Sequence, residues 1–232
     1  MSPHRGYVVG VDEAGRGPVI GPMVVGAVAV PPGDIGLLRA LGIRDSKKLT
    51  PRRREVLAKE IKNRWLHALV VVPAEEIDRL REKKGLNEIE AEFFSQAIEK
   101  IAGQVPVEKV YVDAADTRES FFGREISRIV NMEKLAVVSE HRADEIYPVV
   151  SAASIIAKVE RDRIVREIER DLGVSVGSGY PADPRTREFL KKWVFTHGTL
   201  PPHTRRSWDT VKKILAEVER ERGRGVRRID EY

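Results

Sequence analysis

Cysteine is absent from this chain. That removes disulfides, thiolate metal sites and a cysteine nucleophile from consideration. The five histidines show no pair at ligand spacing, and no serine–histidine–aspartate grouping can be recognised. No apolar stretch is long enough to cross a membrane and no signal-peptide pattern opens the chain, so a cytoplasmic protein is expected, with no membrane partner. No internal repeat occurs. Charge of one dominant sign is also missing: 41 Lys+Arg stand against 36 Asp+Glu, a formal net charge of +5. Such an excess favours a polyanionic partner without requiring one.

Nucleotide-cofactor motifs fail as well. Gly10 to Gly15 has the four intervening residues of a phosphate-binding loop, but Arg16-Gly17 stands where Lys and then Ser or Thr are needed. Asp12 and Glu13 inside that loop would repel phosphates. Gly15, Gly17 and Gly21 are spaced by one and then three residues, which breaks the dinucleotide fingerprint.

What is present is a chain of 232 residues, 41% hydrophobic, enough for one large domain or a domain with an appended piece. Apolar runs rich in β-branched residues, bounded by Gly and Pro, predict strands over 7–11 (running on into Asp12), 23–30, 65–72, 109–113 and 134–139. Helices are predicted over 37–43, from Thr50-Pro51 to 63, and over 74–84, 86–101, 148–172, 184–193 and 204–220. Arg222, Arg224, Arg227 and Arg228 read as a frayed basic tail. The order suggests a mixed sheet covered by helices, with no linker dividing the catalytic part.

Three separated strand ends deliver carboxylates: Asp12 with Glu13, then Asp113, then Asp144. Val8, Gly10 and Asp12 share one face of a strand; Glu13 points the other way unless the Ala14-Gly15 bend swings it back. If the first and fourth strands are parallel neighbours, Asp12 and Asp113 are adjacent. Clustered acids repel unless a multivalent cation intervenes, and an all-carboxylate set selects hard ions such as Mg²⁺ or Mn²⁺. Four acids suit two ions about 3.5–4 Å apart. The alternative is that each caps a helix or faces solvent, and that is the reading adopted for Asp116, Glu140 and Glu145.

Other features carry two readings each. Glycines on both sides of Arg16 let the backbone approach a ligand and exchange hydrogen bonds with a ribose 2′-OH, or they simply make a tight turn. Ser151, Ser154 and Lys158 share a helix face that suits a phosphate, or the serines permit close packing while Lys158 pairs with Asp162. Tyr180 can stack on a sugar or base, or pack against its loop. Lys47-Lys48, Arg52-Arg53-Arg54, Lys191-Lys192 and Arg205-Arg206 can follow a phosphate backbone, or be solvated faces.

Asp12-Glu13-Ala14-Gly15-Arg16-Gly17-Pro18 resembles the signature of ribonuclease HII (type 2 ribonuclease H), its archaeal branch above all. Matching segments follow in order: Asp45 to Leu49, Val110 to Asp113, Arg142-Ala143-Asp144, Tyr147 to Lys158, and Gly177 to Pro181. The resemblance implies an α/β ribonuclease H-like fold, a five-stranded mixed sheet flanked by helices. A catalytic domain would span 1–175, and a C-terminal helical extension with a basic tail, 176–232, would contribute to substrate binding. It implies an endonuclease acting on RNA–DNA hybrids and on duplex DNA containing single ribonucleotides, incised on the 5′ side to leave 3′-hydroxyl and 5′-phosphate ends.

By position, Asp12, Glu13, Asp113 and Asp144 correspond to catalytic acids holding two Mg²⁺ or Mn²⁺ ions. Gly15, Arg16 and Gly17 with Tyr180 correspond to a ribonucleotide sensor, and Lys47, Ser151, Ser154 and Lys158 to phosphate contacts. A monomer is expected on the same ground. Residues 222–232 hold no glutamine followed by an aromatic pair, so the resemblance does not extend to sliding-clamp binding. A nuclease of the same fold acting on DNA alone, and a non-catalytic hybrid-binding module, are the competing readings.

Overall fold

The structure, a computed structural model, describes residues 6–43, 49–114, 119–132 and 135–229. Five strands form one sheet in the order β3-β2-β1-β4-β5: β1 (Tyr7–Ala14), β2 (Met23–Val30), β3 (Leu66–Val72), β4 (Val107–Asp113) and β5 (Ala136–Glu140). β1 runs antiparallel to β2 and parallel to β4, and β4 is parallel to β5. This is the five-stranded mixed sheet expected. The central strands β1 and β2 read as continuous apolar runs because both of their faces are covered.

The chain forms two compact units. The first takes residues 1–14, 23–71 and 83–162; the second takes 15–22, 72–82 and 163–232. In the first, α1 (Ile35–Ala40), α2 (Pro51–Arg64) and the N-terminal half of α7 (Pro148–Leu172) enclose Val28, Val30, Leu38, Leu57, Ile61 and Ile156 in one core. Thr50 caps α2, its side chain accepting from the Arg53 amide, with Pro51 at the first helical position, as its sequence predicts. Trp65, placed in a strand by its apolar neighbours, ends α2 instead, and its indole donates to Asp34. α4 (Leu86–Ala102) packs on β1 and β2 and against α5 (Glu119–Val130), which also covers β5.

Helix α5 has no counterpart in the sequence reading. A Cβ at Gly123 would lie 2.9 Å from Ser139 Cβ. The glycine lets the helix approach the strand, while Phe122, Ile126 and Val130, at fourfold spacing, face the core.

In the second unit α8 (Pro184–His197) and α9 (Asp209–Ile229) close a smaller core of Val19, Ile20, Phe189, Leu190, Val211 and Ile214. α3 (Ala74–Arg81) belongs to this unit as well. The backbone of the supposed frayed tail is helical to Ile229. Arg222 is anchored, donating to the carbonyls of Val194 (2.8 Å) and Phe195 at the end of α8. No helix is long and apolar enough to cross a membrane among the described residues.

Candidate metal centre and nucleotide-reading loop

The acid cluster begins with two glycines. A Cβ at Gly10 on β1 would stand 2.3 Å from the Val149 carbonyl carbon and oxygen, and one at Gly26 on β2 would stand 2.6 Å from the Ala153 oxygen. Only hydrogen at these positions lets the first turns of α7 lie directly on the sheet. Gly26 is the register partner of Asp12. Asp12 therefore projects beneath the helix, where it is 4% exposed.

β1 and β4 are parallel and paired up to Val11 and Val112, so Asp12 and Asp113 emerge side by side from neighbouring strands. Asp144 arrives from α6 (Ala143–Ile146), a single turn entered through Arg142 at φ 59°, and is buried. The Ala143 amide donates to Asp113 Oδ1 (3.0 Å), tying α6 to the strand end. Carboxylate oxygens of Asp12, Asp113 and Asp144 all lie within 4.8 Å of one another. The conditional expectation from the strand order is what the fold delivers.

Burial, followed by the charges of Glu13 and Asp113, pushes the Asp12 carboxyl well above its ordinary value; Lys158 and the Ser154 hydroxyl oppose this. Such a cluster is unfavourable by itself and becomes favourable around a divalent cation. Glu13 is not one of the three converging acids. β1 keeps its pairing with β2 through Ala14, and the Glu13 charge still acts on Asp12, ahead of that of Asp113. It is half-buried, its amide donating to Asp12 Oδ1 (2.7 Å).

Ser151 and Ser154 are fully buried. Both hydroxyls therefore lie inside the protein rather than on its surface. Ser154 accepts from Lys158 Nζ (2.7 Å) and hydrogen-bonds Asp12, whereas Ser151 Oγ has no partner among the described residues and serves close packing. Lys158 is half-buried and turned towards the acids, while Asp162 pairs with Arg54 (3.6 Å). Glu140 accepts from the Tyr147 hydroxyl (2.6 Å), an interaction that pushes this phenol up to about 12, and Glu145 pairs with Arg142. Both are half-buried and held in side-chain pairs rather than capping a helix or facing solvent. Asp116 and Lys47 lie outside the described residues.

The second unit holds the glycine segment. Gly15 has φ 86°, in the left-handed region open to glycine, and Gly17 is exposed. A Cβ on Gly17 would lie 3.7 Å from Tyr180 Cε1, so the tyrosine, 43% exposed, flanks the segment. The Tyr180 loop is pinned from α8: Asp183 accepts from the amides of Ser178 (2.7 Å) and Arg185 (2.9 Å), which holds its carboxyl well below the usual range. Thr186 accepts from the Gly179 amide (3.0 Å), and the Val19 amide donates to the Gly179 carbonyl (2.7 Å).

Arg205 and Trp208 were missed as parts of this loop. With Arg206, Arg205 reads as a phosphate-tracking pair, yet it is completely buried and donates to three carbonyls around the glycines. Nothing local separates such an arginine from a surface one. In the clusters at 52–54 and 191–192, Arg53 donates to the Leu41 carbonyl, Arg54 to that of Leu49, Lys191 pairs with Glu217 and Lys192 with Glu188.

A family model described as Ribonuclease HII matches residues 9–211, a span that includes the three clustered acids and the glycine segment. The chain belongs to the ribonuclease HII family. It is an enzyme of the ribonuclease H kind. Ribonuclease HII of Thermococcus kodakarensis is 47% identical over 215 residues, covering 93% of this chain and 92% of that one. Ribonuclease HII of Methanosarcina acetivorans is 44% identical over 222 residues, covering 92% and 97%.

Among solved structures, ribonuclease H2 of Pyrococcus horikoshii superposes with a TM-score of 0.83 at 41% identity, covering 92% of this chain and 99% of that one. The Archaeoglobus fulgidus RNase HII, solved in a complex with PCNA, gives 0.80 at 43%, covering 89% and 96%. A Bst-RNase HIII solved with Mn²⁺ gives 0.77 at 26%, covering 92% and 70%. The ribonuclease H-like fold with its helical C-terminal part is thus established.

Proposed function

We propose that this ribonuclease HII cleaves the RNA strand of RNA–DNA hybrids and incises duplex DNA on the 5′ side of single embedded ribonucleotides. The products would carry 3′-hydroxyl and 5′-phosphate ends. The observation that carries the reading is the convergence of Asp12, Asp113 and Asp144 within 4.8 Å.

The donor set fits hard divalent ions. It offers oxygen only, Asp12 and Asp144 are buried with Asp113 half-buried, and at Asp12 the negative charge is under-compensated. In this reading Asp12, Asp113 and Asp144, with Glu13 as the fourth acid, hold two Mg²⁺ or Mn²⁺ ions; the Mn²⁺ complex of the Bst-RNase HIII supports the choice. Such ions supply an activated water and stabilise the leaving alkoxide. Lys158 offsets part of the negative charge around Asp12. The buried position of Asp12 and Asp144 limits bulk water at the reacting phosphate. The glycine segment with Tyr180 recognises the ribose, and the helical C-terminal part contributes to duplex binding.

The experiment is incubation of the protein with Mg²⁺ or Mn²⁺ and a duplex carrying one ribonucleotide, beside an RNA–DNA hybrid and an all-DNA duplex. A nick 5′ to the ribonucleotide, lost with EDTA and reduced at least about a hundredfold by Asp144→Asn, is expected. No nick, or equal cutting of all-DNA duplex, rejects the proposal.

A further inference from the structure

Arg205 is fully buried, and every nitrogen of its guanidinium donates to a main-chain carbonyl: Nε to Gly21 (3.0 Å), Nη1 to Arg16 (2.8 Å) and Nη2 to Gly15 (2.5 Å). Trp208 Nε1 donates to the next carbonyl, that of Gly17 (3.2 Å), and the guanidinium lies 4.9 Å from the Trp208 ring centroid. Three successive carbonyls, those of residues 15, 16 and 17, are thereby taken from the same direction.

No cis peptide occurs among the described residues. In a planar trans peptide, the carbonyl of one residue and the amide of the next point opposite ways. With the Gly15 and Arg16 carbonyls held by Arg205, the amides of Arg16 and Gly17 face away from it. Gly17 is exposed and flanked by Tyr180.

The clamp is itself fastened. Asp78 accepts from the Arg206 amide (2.7 Å), the Ser207 amide (3.0 Å) and the Ser207 hydroxyl (2.6 Å), and the Arg205 amide donates to the Val19 carbonyl (2.8 Å). The guanidinium meets the three carbonyls with three separate nitrogens fixed in one plane; an ammonium has three N–H donors, but all on one nitrogen at the end of a flexible stem.

We propose that Arg205, assisted by Trp208, is the positioning residue that aims the Arg16 and Gly17 amides at a ribose 2′-hydroxyl and so sets discrimination between ribose and its analogues. This rests on the proposed ribonucleotide-incising function. A misaimed pair of amides weakens the reading of the sugar without touching the acids that bind metal.

The test compares wild type, Arg205→Lys and Trp208→Phe on duplexes carrying one ribose or one 2′-fluoro sugar at the same position, with melting temperature and Mn²⁺ affinity measured in parallel. Expected is a fall in the ribose-to-fluoro rate ratio of about threefold to tenfold for Trp208→Phe, which loses one hydrogen bond and keeps an aromatic ring. About tenfold or more is expected for Arg205→Lys, with Mn²⁺ affinity unchanged in both. A purely structural role would lower both rates together and leave the ratio alone; an unchanged ratio in Trp208→Phe overturns the proposal even if Arg205→Lys fails to fold. Absence of nicking by the wild type would instead reject the parent reading, and the proposal with it.

Discussion

Asp12→Asn weighs the acid cluster directly. Asp12 is 4% exposed, with a carboxylate oxygen within 4.8 Å of those of Asp113 and Asp144. Two unit charges at 4.8 Å repel by about 3.5 kcal/mol at an effective dielectric near 20. Asp12 takes part in two such pairs, and desolvation adds to them. The protein can escape by protonating the group: at about pH 7, for a carboxyl of ordinary value about 3.9, that costs about 4 kcal/mol, which is the ceiling. Lys158 and Ser154 reduce the penalty further.

A gain of about 1–3 kcal/mol is therefore expected for Asp12→Asn in metal-free protein, or roughly 2–10 °C in melting temperature. The folded-state value of Asp12 lies above the unfolded one, so the folded protein holds the extra proton between them. Wild-type stability in EDTA should fall as pH rises from about 4 through the raised folded value and then level off, and Asp12→Asn should lack that component. Mg²⁺ or Mn²⁺ should raise the wild-type melting temperature, by about 2.7 kcal/mol in stability at a hundredfold excess over Kd, and raise the variant less. Calorimetry across pH, with and without metal, reads all of this. An Asp12→Asn protein no more stable than wild type in EDTA at about pH 8, or an equal metal response in both, would refute the reasoning.

Gly10→Ala should cost about 2–3 kcal/mol in urea denaturation and weaken Mn²⁺ binding, because the new methyl meets the α7 backbone at 2.3 Å and the helix must lift from the acids. A Gly10→Ala protein of wild-type stability would show that α7 does not rest on the sheet as described. Tyr180→Ala should leave stability within about 0.5 kcal/mol, since the side chain is 43% exposed, while nicking at a single ribonucleotide falls about tenfold or more. A large loss of melting temperature with activity retained would assign the tyrosine to packing.

The strands were legible because β-branched runs between glycines and prolines have few alternatives, and α2 because Thr50-Pro51 is a local start signal. Helix α5 was not read from the sequence, and the approach at Gly123 that seats it involves a strand 16 residues further on. The helix placed at 204–220 lies instead at Asp209–Ile229, since residues 203–208 are held by their hydrogen bonds to the Gly15–Gly21 segment and to Asp78.

By itself the sequence determined the inventory: carboxylates at strand ends, no soft ligands, a glycine-flanked arginine, and a set of motifs specific enough to name a family. Those are properties of short segments, and short segments carry them wherever they fold. The tertiary structure alone decided that Asp12, Asp113 and Asp144 meet, that Ser151 and Ser154 on α7 are fully buried, and that Arg205 is a buried clamp rather than a surface charge. Each of these depends on which distant backbone fills the space around a side chain. No stretch of neighbouring residues encodes that.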